Sequence, residues 1–211
     1  MIHLYTWSTP NGRKVSIALE ELGLAYDVHP IDIGKDEQFA PDFLKISPNN
    51  KIPAILDDET DQALFESGAI LLYLAKKTGR LLPEDEAGRW SVMQWLMWQM
   101  GGQGPMLGQA HHFLRFNVGK APYAEERYHN EAKRLYGVLD RQLAENDHVA
   151  GPTLTIADIA IWPWCSRYEW QQIDLNDFAN VKRWYLELAA RSGFRAGYKV
   201  PNPDHEIPLP G

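Results

Sequence analysis

The chain has 211 residues, 45% of them hydrophobic and eight of them Trp, enough for one large or two small domains with a sizeable core. Its 28 acidic and 21 basic residues leave a formal net charge of −7, which argues against nucleic acid as a main partner, because phosphate binding needs basic stripes. No apolar run approaches the ~20 residues of a membrane span, and no basic-then-apolar leader opens the chain. The single cysteine, Cys165, allows no intrachain disulfide and fits a reducing cytoplasm, so a cytoplasmic globular protein that does not enter a membrane is expected.

The first third alternates short strands and helices. Ile2-His3-Leu4-Tyr5-Thr6 reads as a strand, and Ser8-Thr9-Pro10-Asn11-Gly12 turns from it into a helix. There Val15, Ala18, Leu19 and Leu22 recur at helical spacing until Gly23 stops them. Pro10 suits the first helical position, which makes Thr9 the N-cap. Residues 26–31 read as a second strand, parallel to the first through the helical crossover. A polar loop over 34–40 then leads to a short helix from Pro41 to Ile46.

Pro53 heads the apolar segment Ala54-Ile55-Leu56, a place where proline is tolerated only as a strand's first residue or in a special turn. A cis Ile52–Pro53 bond is expected there, leaving the Ile52 N–H and C=O for an extended ligand. After the acidic turn over residues 57–61 come the strand Ala63-Leu64-Phe65 and Glu66-Ser67, which opens an apolar helical run. The Ser67 hydroxyl and the N–H groups after it offer an anion site at a helix N-terminus, and Glu66 can receive a cation. A ligand with a carboxylate, an ammonium and a peptide backbone suits the pair.

Gly79 and Pro83-Glu84-Asp85-Glu86 mark a linker over 80–86, after which residues 87–200 show only helical periodicity. Trp90, Met93, Met97 and Met100 lie on one stripe, and Trp95 and Trp98 add apolar bulk on other faces. One stripe serves the domain's own core, and the surplus suggests an interface between two copies. Gly101-Gly102-Gln103-Gly104-Pro105 is expected to kink or break this helix. Tyr128, Ala132, Leu135, Tyr136, Leu139 and Leu143 form one amphipathic helix; Phe178, Val181, Trp184, Tyr185 and Leu188 form another. Between them Thr155 and Asp158 have capping-box spacing, with Leu154 and Ile159 as a hydrophobic staple, at the start of a central buried helix that encloses Cys165. The tail, 201–211, carries four Pro and should run extended over the surface.

The strand-helix-strand-helix-strand-strand-helix order of residues 1–79 resembles the thioredoxin-like fold, with a mixed four-stranded sheet. With the all-α second domain the class is α+β. "PNNKIPAILDDET" followed by "ALFESGAILLYLA" resembles the glutathione-binding part of the cytosolic glutathione transferases, and the Thr155-x-x-Asp158 box resembles a signature of their C-terminal domain. "TPNG", "ISPNNKIPAI", "GGQGPMLGQAHHF", "YAEERY" and "IADIA" are more specifically similar to the Nu class.

That resemblance implies glutathione, reduced or as its disulfide, as co-substrate. An ordinary thiol has a pKa near 8.5, so an enzyme using it must stabilise the thiolate with helix N–H groups, a hydroxyl or an amide. The first strand-to-helix turn supplies these in Ser8, Thr9 and Asn11. Thr9 and Asn11 would face the sulfur by the Nu pattern, whereas Ser8 occupies the position of the activating hydroxyl in many serine-type transferases. Both readings of the turn stand, and Tyr5, within the strand, is a weaker candidate. By the same resemblance Gln38 would bind the glycyl end and Ile52, before Pro53, would pair through its backbone. Lys51 would assist with a carboxylate, Glu66 and Ser67 would hold the γ-glutamyl end, and Arg127 would reach toward the ligand from the helical domain. His111, His112 and Phe113 lie where the second-substrate pocket usually sits, with packing or a dimer interface as the other reading. No metal is expected, since the adjacent histidines lack further ligands at suitable spacing. The resemblance implies a homodimer that reduces small disulfides through bound glutathione, with organic peroxides as further substrates. Conjugation to hydrophobic electrophiles is the alternative activity, and a non-catalytic glutathione-binding regulator on the same fold is a third reading.

Overall fold

The structure, a computed structural model, describes residues 1–211. It divides into a sheet unit, residues 1–80 with 189–207, and a helical unit, residues 81–188 with 208–211.

In the sheet unit, β1 (Ile2–Thr6) pairs in parallel with β2 (Tyr26–Pro30) and antiparallel with β3 (Ala54–Asp57), which pairs antiparallel with β4 (Gln62–Phe65). The sheet order is β2-β1-β3-β4. Helix α1 (Pro10–Leu22) makes the crossover that a parallel pair needs. Helices α2 (Pro41–Ile46) and α3 (Ser67–Thr78) follow the second and fourth strands. Each strand begins or ends at the turns read from sequence, and α1 and α3 both stop at glycines in the left-handed conformation, Gly23 and Gly79.

Register decides what these elements present. Tyr5, Ala54 and Phe65 form one row across β1, β3 and β4, and Thr6 stands opposite Pro30 on β2. The next residues at that end are the turn into α1, the Ile52–Pro53 peptide and Glu66-Ser67 at the start of α3. All the loops of interest therefore leave one end of the sheet.

The last helix, α9 (Ser192–Tyr198 in chain order, after the helices below), returns to pack on α1 within the sheet unit. The all-helical domain thus ends near residue 188 rather than at 200, while residues 201–207 run over the surface without regular structure, as expected, but on the sheet unit. The physical reason is a close approach of two backbones. A Cβ on Gly197 would lie 2.5 Å from the Ile17 nitrogen and Cα, and one on Gly193 would lie 2.6 Å from a Glu21 carboxylate oxygen. Ser16 Oγ donates to the Gly197 carbonyl at 2.7 Å. The Arg13 guanidinium lies 3.6 Å over the Tyr198 ring, donates to the Tyr198 carbonyl at 3.1 Å and pairs with His205 Nδ1 at 3.0 Å. The Arg191 guanidinium grips Glu21 through two bonds of 2.7 and 3.1 Å.

In the helical unit, α4 (Glu86–Trp98) continues without a break through residues 99–103 into α5 (Gly104–His111) and on to Phe116. Of the kink or break expected over Gly101–Pro105, the break does not occur. Residues 99–103 adopt the wider i→i+5 turn, which carries the chain past a proline that has no donor to offer. The remaining helices of this unit are α6 (Pro122–Glu145), α7 (Ile156–Cys165) and α8 (Ala179–Ala189). Of the α4 side chains, Val92 and Leu96 are buried, whereas Trp90 and Met97 are 60% and 51% exposed. The Trp/Met stripe is thus not the core face: Val92, Leu96 and Gln99 are.

The capping box forms as its spacing implies. Asp158 accepts from the Thr155 N–H at 3.0 Å, the Thr155 hydroxyl at 3.1 Å, the Val149 N–H at 2.8 Å and Trp184 Nε1 at 2.9 Å. Burial raises its carboxyl pKa above the ordinary value against the pull of these donors.

The α1–α9 contact leaves no room for a methyl group. Gly197→Ala should lower the unfolding free energy by about 1–3 kcal/mol through overpacking, whereas Gly101→Ala, where an added Cβ meets open space, should not destabilise. Urea unfolding followed by circular dichroism checks both.

Candidate functional site

The turn from β1 into α1 is built around two constraints. Thr9 is extended (φ −113°, ψ 163°) and its Oγ1 accepts the Gly12 N–H at 3.2 Å, so it caps α1 with Pro10 in the first helical position. With its oxygen engaged as an acceptor, the Thr9 hydroxyl has its proton to donate. Gly12 is required by close approach: a Cβ would lie 2.2 Å from the Trp7 carbonyl oxygen and 2.5 Å from Thr6 Oγ1. Ser8 and Asn11 are half-buried beside Thr9, and both make interactions of their own. The structure thus brings all three candidate thiolate donors into one turn. Tyr5 is stacked on His29 with ring centroids 4.7 Å apart, a packing role.

Across the same end of the sheet, Ile52–Pro53 is cis, as expected, and Ile52 is half-buried ahead of the buried Pro53. The Lys51 carbonyl accepts from Ser47 Oγ at 2.8 Å, which fixes the segment, while the Lys51 side chain is exposed. Two enclosed amide oxygens at this end, Gln38 Oε1 and Asn50 Oδ1, have no hydrogen-bond partner. Buried polar atoms are normally satisfied, so these acceptors are available to donors from water or from a ligand. Gln38 leaves the loop after β2, and Asn50 precedes Lys51 in a left-handed conformation (φ 53°).

Glu66 holds φ 70° and ψ 112°, a conformation that costs a non-glycine residue ~1–3 kcal/mol and that collects at ligand sites. It occupies the cap position of α3 with its side chain exposed and making no capping bond. Ser67 is therefore the first helical residue rather than the cap, and it is buried. The first turn of a twelve-residue helix leaves N–H groups with no intrahelical acceptor, so an anion is favoured here.

Sequence reasoning missed Lys14. It lies on α1, fully buried, with Nζ donating to Ser67 Oγ at 3.2 Å. Burial pulls its pKa down to about 7, against the opposing charge of Glu66. A Lys beside Arg13 and Ser16 suggests a solvated helix face; only the packing of α3 and α9 on α1 encloses these side chains.

The second-substrate residues do not converge. His111 is buried, bonded to Gln171 Nε2 at 3.0 Å, stacked on Trp164 and edge-on to Trp170, with burial pushing its pKa down to about 4. Its polar partner and rings make it a packing residue. His112 is exposed and bonds Asn117, and Phe113 stacks on Tyr128 at 5.5 Å. Arg127 lies on α6 in a cleft of about 640 Å³ lined also by Met106, Tyr123, Tyr128, Glu131 and Arg134. Cys165 is buried; Gln103 Nε2 donates to its sulfur at 3.5 Å, and burial raises the thiol pKa to about 12.

Both parts of the chain resemble known proteins. Residues 1–76 match the model of the glutathione S-transferase N-terminal domain, and residues 102–192 match that of the C-terminal domain. The chain is 49% identical over 196 residues to disulfide-bond oxidoreductase YfcG of Escherichia coli, covering 90% of this chain and 91% of that one. A glutathione transferase family member from Pseudomonas fluorescens, solved with two glutathione bound, superposes with a TM-score of 0.89 at 47% identity, covering 95% of this chain and 93% of that one. A glutathione transferase from Pseudomonas putida, with one glutathione disulfide bound per subunit, superposes at 0.87 with 45% identity, covering 95% and 92%.

Strain at Glu66 predicts opposite effects on stability and binding. Glu66→Gly should raise the unfolding free energy by about 1 kcal/mol while weakening glutathione binding, as denaturation and calorimetric titration would report.

Proposed function

Since the chain belongs to the glutathione S-transferase family, we propose that it is a glutathione-dependent disulfide-bond reductase in which bound glutathione, not the protein, supplies the reacting thiol. The observation that carries this reading is the state of Cys165. The chain's one cysteine is enclosed in α7 with a thiol pKa near 12, so it offers no thiolate at neutral pH. The electron pair must come from a thiol brought in from outside.

The end of the sheet fits that ligand. The γ-glutamyl carboxylate goes to Ser67 and the first turn of α3, the ammonium to Glu66, and the cysteinyl backbone to Ile52. The glycyl end lies toward Gln38 and Lys51, and the sulfur toward Thr9 and Asn11. The enclosed Gln38 and Asn50 oxygens support a ligand with peptide donors. In the reaction, a glutathione thiolate attacks one sulfur of the substrate disulfide, giving a mixed disulfide and releasing one thiolate, which takes a proton. A second glutathione thiolate attacks the glutathione sulfur of that mixed disulfide, releasing the other substrate thiolate and leaving glutathione disulfide. Two glutathiones are oxidised for each disulfide reduced. The two glutathiones of the P. fluorescens protein and the glutathione disulfide of the P. putida protein correspond to the two ends of this sequence.

Thr9 and Asn11 hold the thiolate. Their loss removes a donor worth about 2–4 kcal/mol of transition-state stabilisation at most. Thr9→Ala and Asn11→Ala should therefore lose much of the steady-state reduction of hydroxyethyl disulfide, while Cys165→Ala keeps it and all three remain folded by circular dichroism. Loss of activity in a folded Cys165→Ala variant would overturn the glutathione-only chemistry. Aryl-halide conjugation faster than disulfide reduction would favour the conjugating activity instead.

The same reading makes the protein a cytoplasmic homodimer. Supporting it, Trp90 and Met97 on α4, and Phe39 and Phe65 in the sheet unit, are large apolar side chains left exposed. A second copy of the chain is the occupant, with the sheet unit of one subunit against the helical unit of the other. Sedimentation at micromolar concentration should give twice the 24.1 kDa chain mass, and a monomer would exclude it.

A further inference from the structure

Lysine is almost never fully buried without a partner, and Lys14 is 1% exposed. Its place in the fold is specific. It stands one turn into α1, whose first turn carries Thr9 and Asn11, and its ammonium nitrogen lies 3.2 Å from the hydroxyl of Ser67 at the start of α3. The two helices that frame the glutathione site are thus joined by a buried cation that touches no part of the sulfur chemistry.

We propose that Lys14 is a positioning residue for the γ-glutamyl carboxylate: from beneath the first turn of α3 its ammonium donates to Ser67 Oγ, holds that hydroxyl as a donor, and supplies the positive charge that the carboxylate meets. This rests on the glutathione reading above and extends it to a residue that does not line the ligand's surface. An ammonium has donors only, so the Ser67 oxygen is the acceptor in this pair and its proton goes to another partner. A carboxylate arriving at the head of α3 favours the charged form of Lys14, as any opposite charge a few ångströms away does.

The consequence is that glutathione binding draws in a proton. The free site holds Lys14 near the midpoint of its titration at neutral pH, because burial lowers its pKa to about 7 while Glu66 alone opposes. Above that pH the site has lost the proton that the carboxylate requires, so affinity falls as pH rises; below it Lys14 is already charged and affinity levels off.

The other charged groups on the surrounding elements are engaged elsewhere or face solvent. On α1, Glu20 accepts from Tyr26, Glu21 holds Arg191, and Arg13 holds Tyr198 and His205. On α3, Lys77 pairs with Asp57 and Glu59, and Lys76 is exposed. On α9 and after it, Arg195 is exposed and Lys199 pairs with Glu206.

The test is calorimetric titration with S-methylglutathione, which keeps both carboxylates and the ammonium but has no ionisable thiol. It is run between about pH 6 and about pH 8 in two buffers of different ionisation enthalpy, so that proton uptake is counted directly. The wild-type protein should take up about half a proton per ligand near pH 7 and bind several-fold more weakly at the upper end of the range. The 4-aminobutyryl analogue of the ligand, which lacks only the α-carboxylate, should bind without proton uptake. Lys14→Met should bind S-methylglutathione about ten- to a hundred-fold more weakly, with no proton uptake and no pH slope. Proton uptake that persists in a folded Lys14→Met variant, or with the analogue, overturns the role of Lys14 and leaves the glutathione site standing. Wild-type binding with no proton uptake does the same without any variant. Failure of the wild-type protein to bind S-methylglutathione across the range overturns both the site and the role.

Discussion

The enclosure of α1 is the constraint on which the sheet unit depends. By residue type, a helix with Arg13, Lys14 and Ser16 in its first two turns would show that face to water. Here α3 covers one side and α9 the other, and all three polar side chains are buried. Burying a cation costs several kcal/mol unless it is paired, so each is held: Arg13 by a ring, a carbonyl and His205, Lys14 by Ser67, Ser16 by the Gly197 carbonyl. The helix is therefore fixed from both ends of the chain. Its N-terminal turn, which carries Thr9 and Asn11, inherits that rigidity, which the thiolate role proposed for them requires because donors must already point where the charge sits.

The site gathers through register rather than through proximity in sequence. Thr9, Ile52 and Ser67 are separated by more than a dozen residues each, yet the Tyr5–Ala54–Phe65 row places the peptide bonds that follow β1, precede β3 and follow β4 at one edge. A shift of one residue in the β1–β3 pairing would turn Leu4 and Ile55 out of the core and move Pro53 along the sheet. Core burial and the placement of the candidate-site loops are thus secured by the same pairing. The strain at Glu66 belongs to the same economy of structure: β4 must end and α3 must begin within one residue, and Glu66 takes the unfavourable dihedrals that let it do so.

The helical unit uses polar residues as internal fasteners. Gln99 and Gln103, on the wide turn, reach each other, the Ile161 carbonyl and the Cys165 sulfur. Gln171 ties Tyr136, His111 and the Trp164 carbonyl, and Asp158 ties four donors from three segments. These networks enclose Cys165 and His111, so each is a hydrogen-bonded member of a packed, low-dielectric interior rather than a group open to solvent.

Sequence alone determined the strands, α1 with its Thr9 cap and Gly23 stop, the cis-proline turn, the Thr155–Asp158 box and the buried faces of α6 and α8. Each of these is a local signal, a cap, a turn residue or a period of 2 or 3.6, whose energetics are settled within a few residues. Tertiary structure decided the rest. The return of α9 to α1 depends on Gly193 and Gly197 meeting a backbone some 180 residues away, as the 2.5 Å approach to Ile17 shows, and no local pattern encodes the partner. The persistence of the helix through Gly101–Pro105 depends on a wide turn supported by buried glutamines. The exposure of Trp90 and Met97 and the burial of His111 depend on which side of each helix its neighbours cover. Lys14 is the sharpest case: its residue type announces a solvated charge, and only tertiary packing encloses that charge against Ser67 at the head of α3.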